Sequence, residues 1–453
     1  MSGSSDALLA SLQAGAVRFA RLDPRGRAEL ARRTAMAVVA AADRWVDVAV
    51  AIKSPGRIPG AEVRAEETAT GPVPSLRLLL VTARCLGEIG ARGVPRPAAP
   101  PRSVAHGVAA SVVAVDVVPE PWLADRAMFA GHRGTVLCDG VDDLASFRER
   151  WLAECRERPR QGGVAVVLAA GNVTGLSVAD AISQIFERGR AALVKLHPLH
   201  APLLPVFRDA LGPLVDAGML ALVAGGPELV QDTLGSPTVC HVHLTGGRAA
   251  FDAIVWGADG PRGGSPVLTT PITCELGGVT PWIVVPGRYT AAQLRCQADL
   301  VAGSILNNTS FNCIATKCVV TSRTWGQRDA FLDLVARRLA AAACRPAWYP
   351  GSAATWAEVT QRQPPADGTL PWVLRTAVDP TREPRWLERE WFAPVAVETP
   401  LDADGMEGFC DKACDFVRSL PGTLACSVTI PAGLPPHDAR SVELLVDLSL
   451  IHI

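Results

Sequence analysis

The spacing of apolar side chains in the first quarter of the chain is mainly that of helices. Residues 25–53 carry apolar positions at helical spacing with Arg and Asp between them, and this pattern predicts an amphipathic helix. Residues 75–92 predict a second helix. The Pro-rich residues 94–101 predict a connector, and the apolar, β-branched residues 108–118 predict a strand.

From residue 163 onward, short apolar strands alternate with helices. Ser177 and Asp180 have the spacing of a capping box, which predicts the start of a helix. Alternation at this rhythm predicts an α/β fold with a doubly wound parallel sheet. The predicted strands are 163–168, 191–195, 219–223 and 239–244, and the predicted helices are 177–188, 203–217 and one that begins near Ala249.

A glycine-rich turn, Thr245-Gly246-Gly247, follows the last of these strands. It lacks the GxGxxG spacing of the common dinucleotide-binding turn, and a tight connection between a strand and a helix would use the same residues. A turn of this kind at a helix N-terminus also offers free N–H groups and a favourable dipole to a pyrophosphate. The turn alone leaves both interpretations open.

Composition and charge narrow the class of protein. The 453 residues fit two or three domains, and 49% hydrophobic and 20% charged residues are typical of a soluble globular protein. The net charge of −1, without a basic tract that interleaves aromatics, argues against nucleic-acid binding. We find neither a secretory signal nor an apolar run regular enough to span a membrane. We therefore expect no membrane association and a cytoplasmic location.

The 12 cysteines lack the dense spacing of a disulfide scaffold, so reduced thiols are expected. Cys410 and Cys414 have no nearby Cys/His pair that would complete a zinc site. No metal site is therefore predicted.

Three segments of the second half place polar or acidic side chains next to apolar strands. Glu275 precedes a glycine pair and an apolar run, and Glu390 begins the sequence EWFAPV. Between them, Cys313 lies in a loop of small and polar residues that leads into an apolar strand. Most cysteines are small buried hydrophobes, but a loop of this kind favours an exposed, functional thiol. Cys313 is therefore a candidate nucleophile.

These segments, in this order, resemble the signatures of the aldehyde dehydrogenase superfamily. The ELGG sequence at residues 275–278 matches the family's glutamate motif closely, and residues 308–315 match the nucleophile motif N-x-G-Q-x-C-x-A loosely. Residues 390–394 match the family's E-x-F-G-P motif. Asn172 falls where the family carries an oxyanion asparagine, and Lys195 resembles the lysine that reaches the adenosine ribose.

The resemblance implies two α/β domains. Residues 1–273 would hold the N-terminal helices and a Rossmann-like, doubly wound NAD(P)-binding domain, with part of an oligomerisation arm near residues 140–162. Residues 274–430 would form a second α/β domain, the catalytic domain, and residues 431–453 a truncated terminus. A homodimer or homotetramer is implied for the full-length protein.

The resemblance also implies NAD(P)-dependent oxidation of a small-molecule aldehyde to a carboxylic acid. Cys313 would form a thiohemiacetal and then a thioester, Asn172 would stabilise the oxyanion, and Glu275 would be the general base for the hydrolytic water. The cofactor would be NAD or NADP. Its implied binding residues are Lys195, Thr245, Gly246, Gly247, Gly277, Glu390 and Phe392.

Several residues depart from the family pattern and keep alternatives open. Ser310 and Phe311 replace the Gly-Gln of the nucleophile motif, and Asn172 lacks the Pro-Trp that usually precedes it. Pro198 stands where NAD-preferring members often carry an acidic ribose ligand, so both cofactors remain open. One alternative is a CoA-acylating aldehyde dehydrogenase, in which CoA takes the acyl group. The other is a non-catalytic nucleotide-binding protein on the same fold.

The C-terminus is expected to be incomplete. The family pattern continues past a segment like residues 420–430 with a catalytic-domain strand and an oligomerisation strand, and too few residues follow Ile430 for both. The last six residues, LSLIHI, also back-translate to a transposon end sequence used in sequencing libraries. We therefore expect the natural protein to be longer.

Overall fold

Two five-stranded parallel sheets organise the chain, together with a three-stranded antiparallel sheet and a short two-stranded pair. The computed structural model describes residues 2–58, 60–106, 110–141, 143–157, 162–226, 228–257 and 260–450. The strands are β1 (Arg102–His106), β2 (Ala110–Val118), β3 (Gly134–Cys138), β4 (Val164–Leu168), β5 (Ala191–Leu196), β6 (Leu220–Ala224), β7 (Val239–Gly246), β8 (Ile272–Leu276), β9 (Pro281–Val284), β10 (Cys318–Ser322), β11 (Arg345–Pro346), β12 (Thr369–Leu370), β13 (Val373–Arg375), β14 (Val395–Leu401) and β15 (Ser427–Thr429).

Helices cover these sheets and form most of the N-terminal segment. They are α1 (Ser2–Ala20), α2 (Pro24–Lys53), α3 (Ala61–Thr70), α4 (Pro72–Arg92), α5 (Leu123–Met128), α6 (Leu144–Glu157), α7 (Thr174–Ile182), α8 (Leu204–Ala210), α9 (Gly212–Asp216), α10 (Glu228–Leu234), α11 (Arg248–Trp256), α12 (Ala291–Leu306), α13 (Arg328–Ala341), α14 (Ser352–Thr360), α15 (Gly405–Ser419) and α16 (Pro436–Leu450). A π-helical turn, Ser183–Glu187, extends α7.

The first parallel sheet has the strand order β6-β5-β4-β7-β8. Its central strands are apolar runs that are buried on both faces, as expected of a parallel sheet covered by helices. The strand order reverses its direction of growth between β4 and β7, which creates a crevice at the carboxyl ends of these strands. The predicted α/β fold with a doubly wound parallel sheet is confirmed.

Of the long N-terminal helices, α1 packs against strands β4, β5 and β6 of this sheet, and α2 packs against α8 and α9, which contact β6. α2 begins where the sequence predicts, because Pro24 starts its first turn and Asp23 accepts a hydrogen bond from the Gly26 N–H at 2.8 Å. Its apolar face inserts Trp45, which packs edge-on against Phe207 of α8 with ring centroids 4.9 Å apart. No helix within the described ranges is both long and apolar enough to cross a membrane.

The helix that follows β4 begins earlier than the sequence predicts. The predicted capping box at residues 177–180 is wrong, because α7 begins at Thr174 and Ser177 lies inside it. The first turn of α7 packs closely against the main chain of residues 70–71, between α3 and α4, because Gly175 has no side chain. A Cβ at Gly175 would lie 2.4 Å from the carbonyl oxygen of Thr70.

The antiparallel sheet β1-β2-β3 carries one helix, α6, which packs on it through Phe147 and Trp151. Positions 108 and 109 of the predicted strand 108–118 lie outside the described residues, and the remainder forms β2. The oligomerisation arm predicted near residues 140–162 falls on α6, with residues 142 and 158–161 outside the described part. The role of this arm stays a prediction.

The second parallel sheet has the strand order β13-β14-β10-β9-β15 and forms the core of the C-terminal half. The predicted domain boundary between residues 273 and 274 falls inside β8, which pairs with β7 of the first sheet. The chain therefore passes from the first sheet to the second through residues 277–280. Within the predicted terminus 431–453, α16 packs on α15 and buries Val442 and Leu445, and residues 451–453 lie outside the described ranges.

Candidate active site

A cavity of about 850 Å³ opens at the carboxyl ends of the first sheet's strands and extends to the loops of the second sheet. This is the position at which open α/β sheets bind ligands, next to the reversal of strand order. All ten residues that the sequence singles out line it: Asn172, Lys195, Thr245, Gly246, Gly247, Glu275, Gly277, Cys313, Glu390 and Phe392. The structure thus brings together residues up to 220 positions apart in the chain, and their individual roles remain predictions.

The loop that carries Cys313 has an unusual backbone. Asn308, Thr309 and Ser310 have φ angles of 54°, 58° and 60°, a left-handed conformation that three consecutive non-glycine residues rarely share. Each such residue costs about 1–3 kcal/mol, so surrounding contacts must hold the loop. One such contact comes from Lys317, whose Nζ donates to the Ser310 carbonyl oxygen at 2.7 Å and to its Oγ at 2.8 Å.

Cys313 is half-buried at the cavity wall. Its carbonyl oxygen accepts a hydrogen bond from the Thr280 hydroxyl at 3.1 Å, which attaches the loop to the start of the second sheet. Burial raises the pKa of the thiol, and the negative charges of Glu390 and Glu275 raise it further, while the backbone N–H groups of Cys313 and Ile314 lower it. The thiolate therefore needs a proton acceptor or a bound ligand that favours it.

Asn172 lies in the connection between β4 and α7 and is buried. Its Nδ2 donates to the carbonyl oxygen of Phe311 at 3.2 Å, across 139 positions of the sequence. An amide nitrogen has two hydrogens, so the same group can also donate to a ligand oxygen. The N-terminus of α7 has no side-chain cap, so the Asn172 side chain is not used to cap this helix.

The two candidate carboxylates differ in environment. Glu275 is exposed at the end of β8, in register with Thr245 of β7. Glu390 is half-buried, and its Oε1 has no hydrogen-bond partner among the described residues. Burial raises the pKa of Glu390 to about 7, although the positive charge of Lys317 acts to lower it. Burial also lowers the pKa of Lys317. Glu390 packs directly on Gly277, where a Cβ would lie 1.7 Å from its Oε2.

Three of the predicted cofactor residues, Thr245, Gly246 and Gly247, form the connection from β7 to α11 and line the cavity there. Gly247 is the N-cap of this nine-residue helix, and a Cβ there would meet nothing within 4 Å. The Thr245 hydroxyl donates to Asp180 of α7 at 2.9 Å, so this side chain is oriented by the neighbouring helix. A dinucleotide phosphate fits this place, because the helix N-terminus supplies N–H groups and a favourable dipole.

Aromatic residues that the sequence analysis did not single out complete the wall near Cys313. Tyr349 packs edge-on against Phe392 with ring centroids 4.7 Å apart, and His197 stacks on Tyr349 at 6.0 Å. Burial lowers the pKa of His197, with the charge of Lys195 as a smaller cause. The only feature of the sequence that could have indicated His197 is its position two residues after Lys195.

A second group missed by the sequence analysis lies behind the loop. Lys53 and Glu67 form an ion pair, with side chains 1% and 0% exposed. The Lys53 Nζ also donates to the Asn308 Oδ1 at 2.6 Å. Elsewhere in the described ranges, no group of three or more His, Cys, Asp or Glu side chains could hold a metal ion.

Comparison with known proteins identifies the fold. No protein-family model matches the chain, and no curated protein matches it. Similar solved structures are a 3,6-anhydro-L-galactose dehydrogenase (16% identity, TM-score 0.63), an NADP-dependent enzyme of E. coli (13%, 0.65) and an indole-3-acetaldehyde dehydrogenase in complex with NAD+ (14%, 0.65). The matches cover 97–98% of this chain and 79–81% of those chains. The chain therefore has the aldehyde dehydrogenase fold.

Proposed function

We propose that this protein is an NAD(P)-dependent aldehyde dehydrogenase that oxidises an aldehyde to a carboxylic acid. The observation that carries the proposal is the convergence of a half-buried thiol, an amide donor and two carboxylates in one cavity on this fold. Similar structures include enzymes named as aldehyde and sugar dehydrogenases, which supports the reaction class.

Cys313 is the nucleophile. Its thiolate attacks the aldehyde carbon and forms a thiohemiacetal, whose oxygen carries the negative charge. The Asn172 amide and the Cys313 backbone N–H stabilise this oxygen, and loss of one such donor typically costs about 10²–10³ in rate. The bond that fixes Asn172 to the Phe311 carbonyl supports this role, because it orients the amide beside the loop.

A bound NAD or NADP would supply the hydride acceptor that the oxidation requires. Lys195 and Glu390 would hold its ribose hydroxyls, and Gly246 and Gly247 would face its pyrophosphate at the N-terminus of α11. Phe392 and the glycine at position 277 shape the wall near Cys313. The similar E. coli enzyme is named as NADP-dependent and the similar indole-3-acetaldehyde dehydrogenase was solved with NAD+, which leaves both cofactors in the proposal.

Glu275 is the general base of the last step. It takes a proton from a water molecule, whose oxygen attacks the thioester carbon, and the carbon–sulfur bond breaks to release the carboxylic acid and the Cys313 thiolate. Its exposure at the end of β8 supports this role, because a base that must return its proton in every cycle needs contact with solvent.

The proposal includes a homodimer or homotetramer in the cytoplasm. The sheet β1-β2-β3 has two edge strands, β1 and β3, whose outer main-chain groups could pair with a second copy. Sedimentation velocity would test this part, and a monomer at micromolar concentration would contradict it.

The reaction itself is tested with a panel of aliphatic, aromatic and acidic aldehydes, each with NAD and with NADP. We expect formation of NADH or NADPH without added CoA, and we expect Cys313→Ala to abolish it. Unchanged turnover in this variant would refute the mechanism. Turnover that depends strictly on CoA would replace the hydrolytic step by acyl transfer to a thiol.

A further inference from the structure

Behind the Cys313 loop lies a buried ion pair that the proposed chemistry does not use. Lys53 is the last residue of α2 and Glu67 lies on α3, and neither side chain is exposed beyond 1%. A buried ion pair is weak evidence for stability, because the cost of removing two charges from water can exceed their attraction. The contact of this pair with the Cys313 loop indicates a role other than stability.

The pair contacts the loop at one point, the side-chain amide of Asn308. Lys53 has only hydrogen-bond donors, so the amide oxygen of Asn308 must face it, and it does at 2.6 Å. The amide nitrogen is thereby turned to the opposite side. There it donates to the carbonyl oxygen of Asn172 at 2.9 Å and to that of Phe311 at 2.8 Å.

These two carbonyl groups belong to the segments that hold the proposed oxyanion site. Asn172 supplies the amide donor, and Phe311 precedes Cys313 by two residues in the loop with left-handed backbone. The Asn172 amide also donates to the Phe311 carbonyl, so Asn308 joins both segments in one hydrogen-bonded unit. An amide flip at Asn308 would place its oxygen against both carbonyl groups and break this unit.

Glu67 fixes the other side of Lys53. It lies within 3.5 Å of the Thr174 hydroxyl on the first turn of α7, and Trp45 donates to the same hydroxyl at 2.9 Å. Lys53 also lies 4.9 Å from the ring centre of Trp348, which restricts the ammonium further. The lysine therefore has one position available, and that position determines the orientation of Asn308.

We propose that Lys53, held by Glu67, is a positioning residue for acyl transfer that orients the Asn308 amide and so aligns Asn172 with the Cys313 loop. This inference rests on the proposed function. It predicts that removal of the pair impairs reactions of Cys313 that pass through an oxyanion and spares those that do not.

Two reagents separate these kinds of reaction without any cofactor or aldehyde. p-Nitrophenyl acetate acylates a thiolate through a tetrahedral oxyanion, whose collapse forms the thioester and expels p-nitrophenolate. Iodoacetamide alkylates the same thiolate by displacing iodide at a saturated carbon, and no oxyanion forms. Because other cysteines are exposed, both reactions are followed by mass spectrometry of the peptide that contains Cys313.

The test variant is the double substitution Lys53→Met/Glu67→Gln, which removes both charges and leaves neither one unpaired. We expect its acylation rate to fall about 30- to 100-fold, the size of effect that a misplacement of about 1 Å produces. Alkylation should stay within about threefold of the wild-type rate. The matched control is Arg328→Met/Glu398→Gln, an ion pair between α13 and β14 in which only the carboxylate is fully buried and which does not contact the loop, and both of its rates should be unchanged.

Acylation of the Lys53/Glu67 variant at the wild-type rate would overturn the inference. An equal fall of the acylation and alkylation rates would overturn it as well. If that variant does not fold, Asn308→Asp tests the same link, because it keeps an acceptor for Lys53 and replaces the donors to the two carbonyl groups. Wild-type acylation in Asn308→Asp would also overturn the inference. If aldehyde turnover persists in Cys313→Ala, the proposed function itself is wrong and the inference falls with it.

Discussion

At the residue scale, the protonation of Cys313 is the property on which the proposed chemistry depends. The thiol has a raised pKa, and after burial the largest cause is the charge of Glu390. Because burial raises the pKa of Glu390 to about 7, this charge is present above neutral pH and is lost below it. The ionisation of Cys313 therefore depends on the protonation of Glu390 near neutral pH.

Replacement of Glu390 by Gln should lower the pKa of Cys313, because it removes a negative charge and leaves the burial in place. We expect faster alkylation of Cys313 by iodoacetamide at pH 8 in this variant, and little difference at pH 6, where Glu390 is mainly protonated. Glu388→Gln, two residues away and exposed, is the control and should match the wild type at both values. A slower reaction of Glu390→Gln at pH 8 would contradict the assignment.

The contact between Gly277 and Glu390 leads to a second prediction. A Cβ at position 277 would lie 1.7 Å from Glu390 Oε2, so Gly277→Ala must displace this carboxylate. We expect a loss of kcat/KM of at least about tenfold, since a displaced group near the reacting atoms typically costs one to two powers of ten. Gly408→Ala in α15, where a Cβ meets nothing within 4 Å, should keep wild-type activity.

The site residues that could be predicted from the sequence lie in local motifs, and those that could not be predicted do not. Cys313, Glu275 and Glu390 stand in local motifs, so their order along the chain was enough to group them. Lys53 stands alone at the end of a helix, and its partner Asn308 is 255 positions away. The sequence does indicate that Lys53 is buried, because it falls on the apolar face of α2, one turn after Ala49. A charged residue on such a face does not, however, indicate which residue is its partner.

At the scale of elements, the start of α7 shows how a local pattern can mislead. Ser177 and Asp180 have the spacing of a capping box, but Ser177 is buried inside the helix and its Oγ has no hydrogen-bond partner among the described residues. Asp180 accepts from Thr245 instead. The helix therefore begins before the predicted cap, at Thr174, where its first turn contacts residues 70–71. This close contact requires a glycine at position 175.

This difference can be measured by unfolding. An N-cap serine typically contributes about 1 kcal/mol, so Ser177→Ala would destabilise the protein by that amount if the capping box existed. Inside the helix, the same change removes an unsatisfied hydroxyl and introduces a better helix former, so we expect no loss and a gain of up to about 1 kcal/mol. Asp23→Ala, at the observed N-cap of α2, should lose about 1 kcal/mol in the same urea titration.

At the scale of the whole molecule, four of the five strands of the first sheet could be predicted, whereas β8 and the order of the second sheet could not. The strands of the first sheet are apolar runs separated by helices of regular length, and this rhythm defines a parallel sheet. The second sheet combines strands as short as β13 and β15 with long irregular connections. Its order depends on how α12, α13 and α15 pack, which no local pattern records. Only the resemblance implied a second α/β domain there.

Ligand binding should stabilise the entire molecule if the cavity holds a dinucleotide. A ligand at 100 times its Kd adds about 2.7 kcal/mol to the free energy of unfolding, and a chain of this size should then melt several degrees higher. We expect this shift of Tm with NAD or NADP in the wild type and in Cys313→Ala, and a smaller one in Lys195→Ala. Equal Tm values with and without either dinucleotide at millimolar concentration would contradict the cofactor assignment.

The position of β8 has a consequence for recombination between related genes. Glu275 is carried by the last strand of the first sheet, whereas Cys313 belongs to the second half, and only residues 277–280 connect the two sheets. A crossover upstream of β8 would inherit both groups from one parent but pair a foreign edge strand with β7. A crossover in residues 277–280 would keep each sheet whole and take Glu275, the proposed base, and Cys313, the proposed nucleophile, from different parents. In chimeras joined at residues 277–280, Glu275 and Cys313 would therefore be exchanged independently, each within an intact sheet.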